Sequence, residues 1–492
     1  MGSKRRRKIA ILAGPRSAAK HGKARPRGRP DALVVPGPLF GGLAHFASAQ
    51  ERRDAGKALR DKVPRDVHAT WKRSNGVDPL AILRASDTGR EPVLVPIRYG
   101  RMLASPFTFY RGAAAVMAAD LAKTPANGER VQACGDCHLM NFGGFATPER
   151  NIIFDINDFD ETLPGPWEWD VKRLAASFVL AARGNGLSEA KARDLAVTCA
   201  RSYRKHLAAF ADMNPLSVWY ARITVDDFVE GMPKAFQKDV RAAAARAMKR
   251  TPDTDFPKLA DMVGGRLGIR DTPPLIFHHP ETRVPDFLEF LEKLLAAYRQ
   301  SLADDRRRLL DQYKPVDAAI KVVGIGSVGR RCWVVLLMSA SNDPLFLQVK
   351  EAAQSVMEPF VGRSLYRHHG ERIVIGQKLM QPASDVFLGW VTGTKGRQFY
   401  VRQLRDAKIK PIVETMDAGR LTVYAERCGW SLARAHSKAA DTNAIVGYLG
   451  KSDRFDEAIG RFARSYADQT ERDHAALKAA VRKGHIAVHR EV

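Results

Sequence analysis

Residues 135–160 read GDCHLMNFGGFATPERNIIFDINDFD, and this stretch decides which fold the rest of the chain must form. Its glycines, short apolar run and acidic ends predict a loop, a short strand and a second loop. The first loop carries Asp136, His138 and Asn141, and the second loop carries Asp158. The sequence therefore predicts two neighbouring loops whose polar side chains serve one site.

Asp136 and Asn141 lie five residues apart on a tight loop, a spacing at which both side chains can face one cavity. In such a site the aspartate can accept a proton from an attacking hydroxyl, and the asparagine can supply a hard oxygen ligand for magnesium. Asp158, after the following strand, can complete the metal shell, and Asp155 is the alternative ligand. The pattern predicts a magnesium site beside a general base.

A second cluster begins at Gly324, where GIGSVG contains a G-x-G-x-x-G pattern. A dinucleotide-binding fingerprint should open a helix, whereas these glycines precede a strand-like run at residues 333–338. A polar turn then leads into a second strand-like run, residues 345–350, that ends in a lysine. This order predicts a loop that covers the phosphates and a lysine that binds them. The predicted cofactor-binding residues of this cluster are Gly324, Gly326, Ser327, Gly329 and Lys350.

Phosphoryl transfer needs a loop that holds the phosphates, a cation that neutralises them, oxygen ligands for magnesium and an acceptor for the nucleophile's proton. The two clusters together contain all four ingredients. The sequence therefore predicts an enzyme that uses ATP and magnesium to phosphorylate a hydroxyl group of a small molecule or a protein. Two other functions stay open: a nucleotide-binding pseudokinase or scaffold, and the transfer of AMP instead of phosphate.

These motifs resemble the protein-kinase-like fold, especially its aminoglycoside and choline phosphotransferase branch, where a G-D-x-H-x-x-N loop precedes an I-D-F/W metal motif. The resemblance implies that Asp136 is the catalytic base, that Asn141 and Asp158 bind magnesium, and that Asp170 braces the catalytic loop. In kinases the glycine loop and its lysine come before the catalytic loop, but here they follow it. The resemblance therefore implies a circular permutation, which a fold tolerates when its original ends lie close together. The predicted catalytic residues are Asp136, His138 and Lys350.

The predicted architecture is α+β and two-lobed, with a small antiparallel sheet lobe packed against a larger, mostly helical lobe and ATP in the cleft. The predicted divisions are a basic disordered tail (residues 1–35), a helical lobe (36–315), a β lobe (316–408) and C-terminal helices that complete the large lobe (409–492).

Several charged residues outside the two clusters are further candidates for the site. The glutamate expected to pair with the lysine is either Glu358 or Glu371, and Glu358 is assigned to the cofactor site. Arg98, Arg101 and Arg111 lie upstream of the catalytic loop and are candidates to approach the phosphate or the substrate. The competing interpretation of these arginines is salt bridging on the surface.

Residues 98–473 also resemble an uncharacterised bacterial family, the domain of unknown function 2252 family. The resemblance rests on the motifs RMLASPFTFYRG, GDCHLMNFG, FDINDFDE and ASDVFLGW. It covers most of the chain but implies no activity.

Composition limits the class of protein. At 492 residues and 45% hydrophobic, the chain can bury a large core. The formal net charge of +25 favours a nucleic-acid or acidic partner, but eleven basic residues and no acid fall in the first 30 residues, so such a partner is expected only at the tail. No apolar stretch has the length of a membrane span or of a secretory signal, and a cytoplasmic location is expected. Five cysteines in so long a chain predict no disulfide framework.

Residues 134–138 also spell C-x-x-C-H, the attachment pattern of c-type haem, and contain a C-x-x-C pair. Attached haem disagrees with the expected cytoplasmic location, and no thioredoxin-like βαβ pattern surrounds the cysteine pair. Zinc would need two more ligands, for which His368, His369 and His436 are the candidates. Phosphoryl transfer is therefore preferred to all three.

Overall fold

The computed structural model describes residues 47–263, 266–282, 286–404 and 407–489. The predicted basic tail, residues 1–35, lies outside the described residues. Helices and small antiparallel sheets both contribute, which confirms the prediction of a mixed α+β protein. In the described ranges, no helix is both long enough and apolar enough to cross a membrane.

The elements of the described ranges follow in chain order. The helices are α1 (Ala49–Lys62), α2 (Pro79–Ala85), α3 (Val95–Leu103), α4 (Pro106–Gly112), α5 (Ala114–Leu121), α6 (Trp167–Gly184), α7 (Glu189–Ala211), α8 (Pro215–Tyr220), α9 (Val225–Val229), α10 (Lys234–Met248), α11 (Pro252–Leu259), α12 (Phe287–Arg299), α13 (Asp304–Leu310), α14 (Glu358–Val361), α15 (His369–Met380), α16 (Ala418–Ser437), α17 (Thr442–Leu449) and α18 (Arg454–Arg482). The strands are β1 (Arg130–Ala133), β2 (Phe142–Ala146), β3 (Ile152–Ile156), β4 (Leu163–Pro166), β5 (Ile223–Thr224), β6 (Ala260–Val263), β7 (Arg266–Ile269), β8 (Ile276–Phe277), β9 (Tyr313–Lys321), β10 (Cys332–Ser339), β11 (Pro344–Glu351), β12 (Gly389–Thr392) and β13 (Gln398–Gln403).

The largest sheet has six antiparallel strands in the order β12-β13-β11-β10-β9-β8. Strand β10 is apolar along most of its length because both faces of the sheet are covered. Val335 and Leu337 pack with Tyr298 of α12, whereas Val334 and Leu336 pack in a second cluster with residues of α11 and β7. Successive side chains of a strand point to opposite faces, so a strand covered on both sides needs an unbroken apolar run. The predicted strands at residues 333–338 and 345–350 are thereby confirmed as β10 and β11.

The position of β11 places the second sequence cluster at the centre of this sheet. The glycine loop connects β9 to β10, and Lys350 lies on β11 opposite Cys332 of β10 and Tyr400 of β13. The lysine therefore lies on the strand next to the β9–β10 hairpin, with paired strands on both sides.

A helical body forms around α6, whose residues are almost all buried. Its apolar side chains share one large core with residues of α7, α16, α17 and α18. Gly429 lets α16 approach α7 closely, since an added Cβ would lie 2.5 Å from the Cys199 carbonyl oxygen. The body thus combines segments that precede the six-stranded sheet in the sequence with segments that follow it.

Two short strand pairs, β1–β4 and β2–β3, carry the first sequence cluster against this body. Gly144 of β2 and Ile409 exchange two backbone hydrogen bonds, of 3.0 and 2.7 Å. Ile409 lies beyond β13, so the chain that leaves the six-stranded sheet is bonded directly to the hairpin that follows the first loop.

The segment predicted as the helical lobe, residues 36–315, also contributes strands to the sheets. Strands β5, β6, β7 and β8 and the first residues of β9 lie within it. The sheet accordingly includes strands that precede residue 316. These strands are short or, in β9, buried over only part of their length, so they lack the unbroken apolar run by which β10 is recognised.

Candidate active site

The loop that follows β1 is held by a buried carboxylate of α6. Asp170 accepts hydrogen bonds from the backbone N–H groups of Cys134, at 2.6 Å, and Gly135, at 2.9 Å. His436 of α16 lies 3.1 Å from the same carboxylate through Nε2. Gly135 has a φ of +82°, and an added Cβ would lie 2.5 Å from the Glu161 carbonyl oxygen, so this turn requires glycine. Asp170 therefore fixes where the loop begins.

Asp136, the next residue of this loop, is oriented by Arg173 and Asn141. Arg173 Nε donates to Asp136 Oδ1 at 2.7 Å, and the Asn141 side-chain amide donates to the Asp136 backbone carbonyl at 2.7 Å. Burial raises the pKa of Asp136 to about 7, against the effect of Arg173 and with a contribution from Glu161 and Asp158. A carboxyl group with a pKa near neutrality is suited to accept and release protons.

His138 is the neighbour of this carboxylate. Its side chain is buried, and its Nε2 lies 3.9 Å from Asp136 Oδ2. Its Nδ1 has no hydrogen-bond partner among the residues that the structure describes. Burial, followed by the nearby charges of Arg111 and Arg173, lowers the pKa of His138 well below its ordinary value. The imidazole beside Asp136 is therefore neutral.

Lys350 reaches the second loop from the six-stranded sheet. Its Nζ forms an ion pair with Asp160 and lies 3.9 Å from Asp158 Oδ2. Asp160 also accepts hydrogen bonds from the Tyr400 hydroxyl, at 2.8 Å, and from the Ser327 hydroxyl of the glycine loop, at 3.3 Å. Burial opposes the charge on the lysine, yet Asp158, Asp160 and Tyr400 raise the pKa of Lys350 well above its ordinary value. The two sequence clusters are therefore joined by a charged, hydrogen-bonded network.

The partner of Lys350 is thus Asp160, and the expected glutamate pairing was wrong. The Glu358 carboxylate lies 3.8 Å from His369 Nδ1. Within the described part of the chain, neither Glu358 nor Glu371 forms an ion pair with Lys350. An acid of the second loop already neutralises the buried lysine, so a helix glutamate is not required for that purpose.

The predicted magnesium ligands fall into two groups. Asn141 and Asp158 line the same cavity walls. Asp155 is fully buried elsewhere, where Arg434 Nη2 donates to its Oδ2 at 2.7 Å, so the interpretation of Asp155 as a ligand was wrong. Successive side chains of β3 point to opposite faces, which turns Asp155 into the core.

The remaining donor set fits magnesium better than zinc. Magnesium is usually held by one or two protein carboxylates and keeps water and phosphate ligands, and Asn141, Asp158 and Asp160 supply oxygen atoms of that kind. Within the described ranges, no three His, Cys, Asp or Glu side chains are grouped to hold a metal. His436 is bonded to Asp170, as described above.

The glycine loop is anchored to the front half of the chain at both ends. Arg101 Nη1 donates to the Gly324 carbonyl at 2.5 Å, and the Glu91 backbone N–H donates to the Gly329 carbonyl at 2.8 Å. Gly324 and Gly329 have φ values of +68° and +88°, conformations that favour glycine. Arg98, by contrast, is buried and donates to Asp87 at 2.8 Å, so its guanidinium stabilises the helices behind the loop.

Two cavities meet at the network of Lys350 and Asp160. The first, of about 590 Å³, is lined by charges of both signs and is called the mixed cavity. Its charged residues are Arg90, Arg98, Arg111, Arg330, Asp136, Asp158, Asp160, Glu161 and Glu351. The second, of about 840 Å³, is called the basic cavity because Asp158 is its only acid among the described residues. Its cations are Arg111, Arg246, Arg250, Lys258, Lys321, Lys350, Arg402, Lys408 and Lys410.

The shared wall of the two cavities is built from both sequence clusters. It consists of Arg111, Asn141, Asp158, Gly324 and Ser327. Asp136 and His138 line the mixed cavity, whereas Lys350 lines the basic cavity. Cys134 and Cys137 are buried in the large core, and neither lines the mixed or the basic cavity.

Comparison with known families gives a match over most of the chain. The sequence model of a family described as "Uncharacterized protein conserved in bacteria (DUF2252)" matches residues 90–480. The chain belongs to the DUF2252 family. No curated protein and no solved structure matches it significantly. The region that defines DUF2252 therefore contains the catalytic-loop candidate, the glycine loop and both cavities' shared wall.

Several residues of this DUF2252 site were missed from the sequence. Asp160 ends the DFD motif, but nothing in its spacing distinguishes it from Asp158. Arg173 lies three residues after Asp170 on α6, so the helical repeat alone would have placed both on one face. Tyr400 contributes through its pairing with Lys350 across β11 and β13, and no local signal gives that register.

Proposed function

We propose that this DUF2252 protein transfers the terminal phosphate of ATP, with magnesium, to a hydroxyl group of an acceptor. One observation carries the proposal: Lys350 and Ser327 from the back half of the chain bind Asp160, which lines the mixed cavity together with Asp158 and Asn141. Phosphoryl transfer needs these groups within one site, and little other covalent chemistry.

The difference in charge between the two cavities supports the assignment of a different ligand to each. The basic cavity, with nine cations to one acid among the described residues, suits the triphosphate of ATP. The mixed cavity contains Asp136 and suits the acceptor hydroxyl. Both volumes lie within the roughly 300–1,000 Å³ common for small-molecule sites.

The proposed chemistry follows from the groups at the shared wall. The acceptor oxygen forms a bond to the terminal phosphorus, the bond from that phosphorus to the leaving ADP oxygen breaks, and the hydroxyl proton passes to Asp136. Arg173 keeps the Asp136 carboxylate oriented for this transfer. Magnesium, held by Asn141 and Asp158, would neutralise charge on the phosphate oxygens.

The fold that we propose is a circularly permuted protein-kinase-like one. Strand β9, the glycine loop, β10 and the lysine strand β11 follow one another in the order that a phosphate-covering hairpin and its lysine require. The helical body on the other side of the shared wall carries Asp136 and its brace, Asp170. The acceptor, a small molecule or a protein, enters on that side.

The test compares Asp136→Asn with Asp304→Asn, an exposed aspartate outside both cavities. We expect Asp136→Asn to lower the rate of ADP release from MgATP by about 10²–10⁴-fold, because the proton acceptor is lost, and to leave MgATP affinity nearly unchanged. Asp304→Asn should match the wild type. Full activity in Asp136→Asn would show that the base is assigned wrongly.

Mass spectrometry after incubation with MgATP separates phosphate transfer from its alternatives. A gain of phosphate on the protein or an added acceptor supports the proposal. A gain of AMP favours nucleotidyl transfer, and binding of MgATP with neither product favours a pseudokinase.

A further inference from the structure

Arg111 occupies a position that no other described cation shares. It lies near the end of α4 and lines both the mixed and the basic cavity. The other cations of the basic cavity, Lys350 included, do not reach the mixed cavity, and the other cations of the mixed cavity do not reach the basic one. Arg111 is therefore the one described cation at the boundary between the two cavities.

The guanidinium of Arg111 has no bonded protein partner among the described residues. Its Nε is buried without a hydrogen-bond partner, and the described residues offer it no ion pair within 4.0 Å. Arg98 and Arg173, which approach the same loop, are bonded to Asp87 and Asp136, respectively. A partly buried guanidinium that lacks a protein partner has free donors for an anionic ligand.

The backbone on either side of Arg111 is fixed. Arg173 Nη2 donates to the Tyr110 carbonyl at 3.1 Å, and Arg98 Nη2 donates to the Gly112 carbonyl at 3.0 Å. The glycine loop also comes close, since an added Cβ on Gly326 would lie 3.4 Å from the Arg111 carbonyl oxygen. Arg111 is therefore held beneath the glycine loop by contacts that leave its side chain available.

This guanidinium stays protonated although it is largely buried. Burial lowers the pKa of Arg111, and the carboxylates of Asp136, Glu414 and Asp158 oppose that effect. An arginine retains its proton at neutral pH even in such surroundings. Two acids of the proposed catalytic machinery thus attract the guanidinium without bonding to it, and a phosphoryl group between them would be within its field.

We propose that Arg111 is a catalytic residue that donates hydrogen bonds to the phosphoryl group in transit and stabilises the charge on its non-bridging oxygens. The inference rests on the proposed function. Arg111 gains and loses no proton in this step; the phosphorus changes partner from ADP to the acceptor oxygen, and the hydroxyl proton goes to Asp136. A planar guanidinium matches the geometry of phosphate oxygens, which a lysine ammonium does not.

The experiment measures the affinity of the full chain for MgADP in the presence and absence of aluminium fluoride, a mimic of the phosphoryl group in transit. It needs no knowledge of the acceptor. The wild type should bind MgADP more tightly with aluminium fluoride than without it, because the site is complementary to the transition state. We expect Arg111→Ala to reduce this gain by about 100-fold while affinity for MgADP alone stays close to that of the wild type.

Arg250→Ala is the matched control, since Arg250 lines only the basic cavity. It should weaken MgADP in both conditions and leave the gain intact. Arg111→Lys should recover only part of the gain, and added guanidinium salts should restore part of it to Arg111→Ala. An Arg111→Ala protein that keeps the full gain would overturn the role of Arg111 and leave the proposed function standing. If aluminium fluoride does not raise the affinity of the wild type for MgADP, or if the wild type does not bind MgADP, the proposed function and this inference are both overturned.

Discussion

The basic cavity and the mixed cavity share one wall, yet charge is arranged differently on their two sides. In the mixed cavity, two of the four arginines are bonded to the protein itself: Arg98 to Asp87, and Arg90 to the Ser86 carbonyl. The described wall of the basic cavity has nine cations and one acid, Asp158, although Lys350 is paired with Asp160 and Arg402 donates to Gln348. This excess of positive charge favours the entry of an anion.

This difference suggests how one wall can serve two ligands. A polyanion is attracted to the basic side, whereas the mixed side keeps a carboxyl group, Asp136, whose pKa of about 7 suits proton transfer. A cavity with nine cations beside Asp136 would have lowered that pKa. Under the proposed function, the separation of the two cavities keeps the base away from the cations that would hold the phosphates.

Among the variants that test this comparison, Lys350→Met should have the largest effect on MgATP affinity. The change removes the cation at the junction and leaves Asp160 buried with only the hydroxyls of Tyr400 and Ser327. We expect the affinity for MgATP to fall by about 100-fold, since a hydrogen-bonded charge is worth about 1.5–3 kcal/mol. Isothermal titration calorimetry measures the loss.

Lys350→Arg is the companion variant, because it keeps the charge and changes the shape. It should bind MgATP better than Lys350→Met. Equal and undiminished binding by both variants would show that the nucleotide does not contact this lysine. Thermal unfolding of each variant separates lost binding from lost folding, since an unpaired buried Asp160 also destabilises the protein.

The sequence was a good guide to some parts of this site and a poor guide to others. Strands β10 and β11 could be predicted because their residues run apolar on either side of a clear turn. The loop from Gly135 could be predicted because its residues carry specific chemistry close together. The pairing of Lys350 with Asp160 could not, since it depends on how a six-stranded sheet packs over a loop that is distant in the chain.

Most of the remaining differences between the predicted and the observed fold lie in short elements. Strands β6, β7 and β8 have two to four residues, too few for a periodic pattern to appear. The expected ligand Asp155 failed for a related reason. Asp155 lies in β3 and Asp158 follows that strand, and the two differ in the direction of the side chain, toward Arg434 for Asp155 and toward the cavities for Asp158.

Removal of one arginine from each cavity should have a smaller effect on MgATP affinity and compares the two cavities directly. Arg250→Ala removes a cation from the basic cavity, and Arg330→Ala removes one from the mixed cavity. We expect Arg250→Ala to weaken MgATP by about fivefold, since a solvated charge contributes up to about 1 kcal/mol. Arg330→Ala should leave MgATP affinity unchanged. Added salt should reduce the difference between Arg250→Ala and the wild type, because screening weakens exposed charges. Equal losses in the two variants would contradict the assignment of the nucleotide to the basic cavity.

The smallest effect concerns pH and depends on Lys408 of the basic cavity. Burial, then Arg402 and Lys410, lowers the pKa of Lys408 to about 7, while Asp385 and Asp158 oppose the shift. An anionic ligand favours the protonated lysine, so its contribution to affinity is complete below pH 7 and is lost as pH rises above 7. We expect MgATP affinity to fall by about threefold from pH 6 to pH 8, within what one partly solvated charge supplies.

Lys408→Met tests whether this residue causes the slope. The variant should bind MgATP at pH 6 about as weakly as the wild type does at pH 8, and its affinity should change less between the two values. The pH dependence of ATP itself is common to both proteins and cancels in their ratio. A ratio that stays constant across this range would exclude Lys408 as the titrating group. A ratio that converges toward one as the pH rises would show that burial, together with the like charges of the basic cavity, holds Lys408 near its titration point until the nucleotide binds.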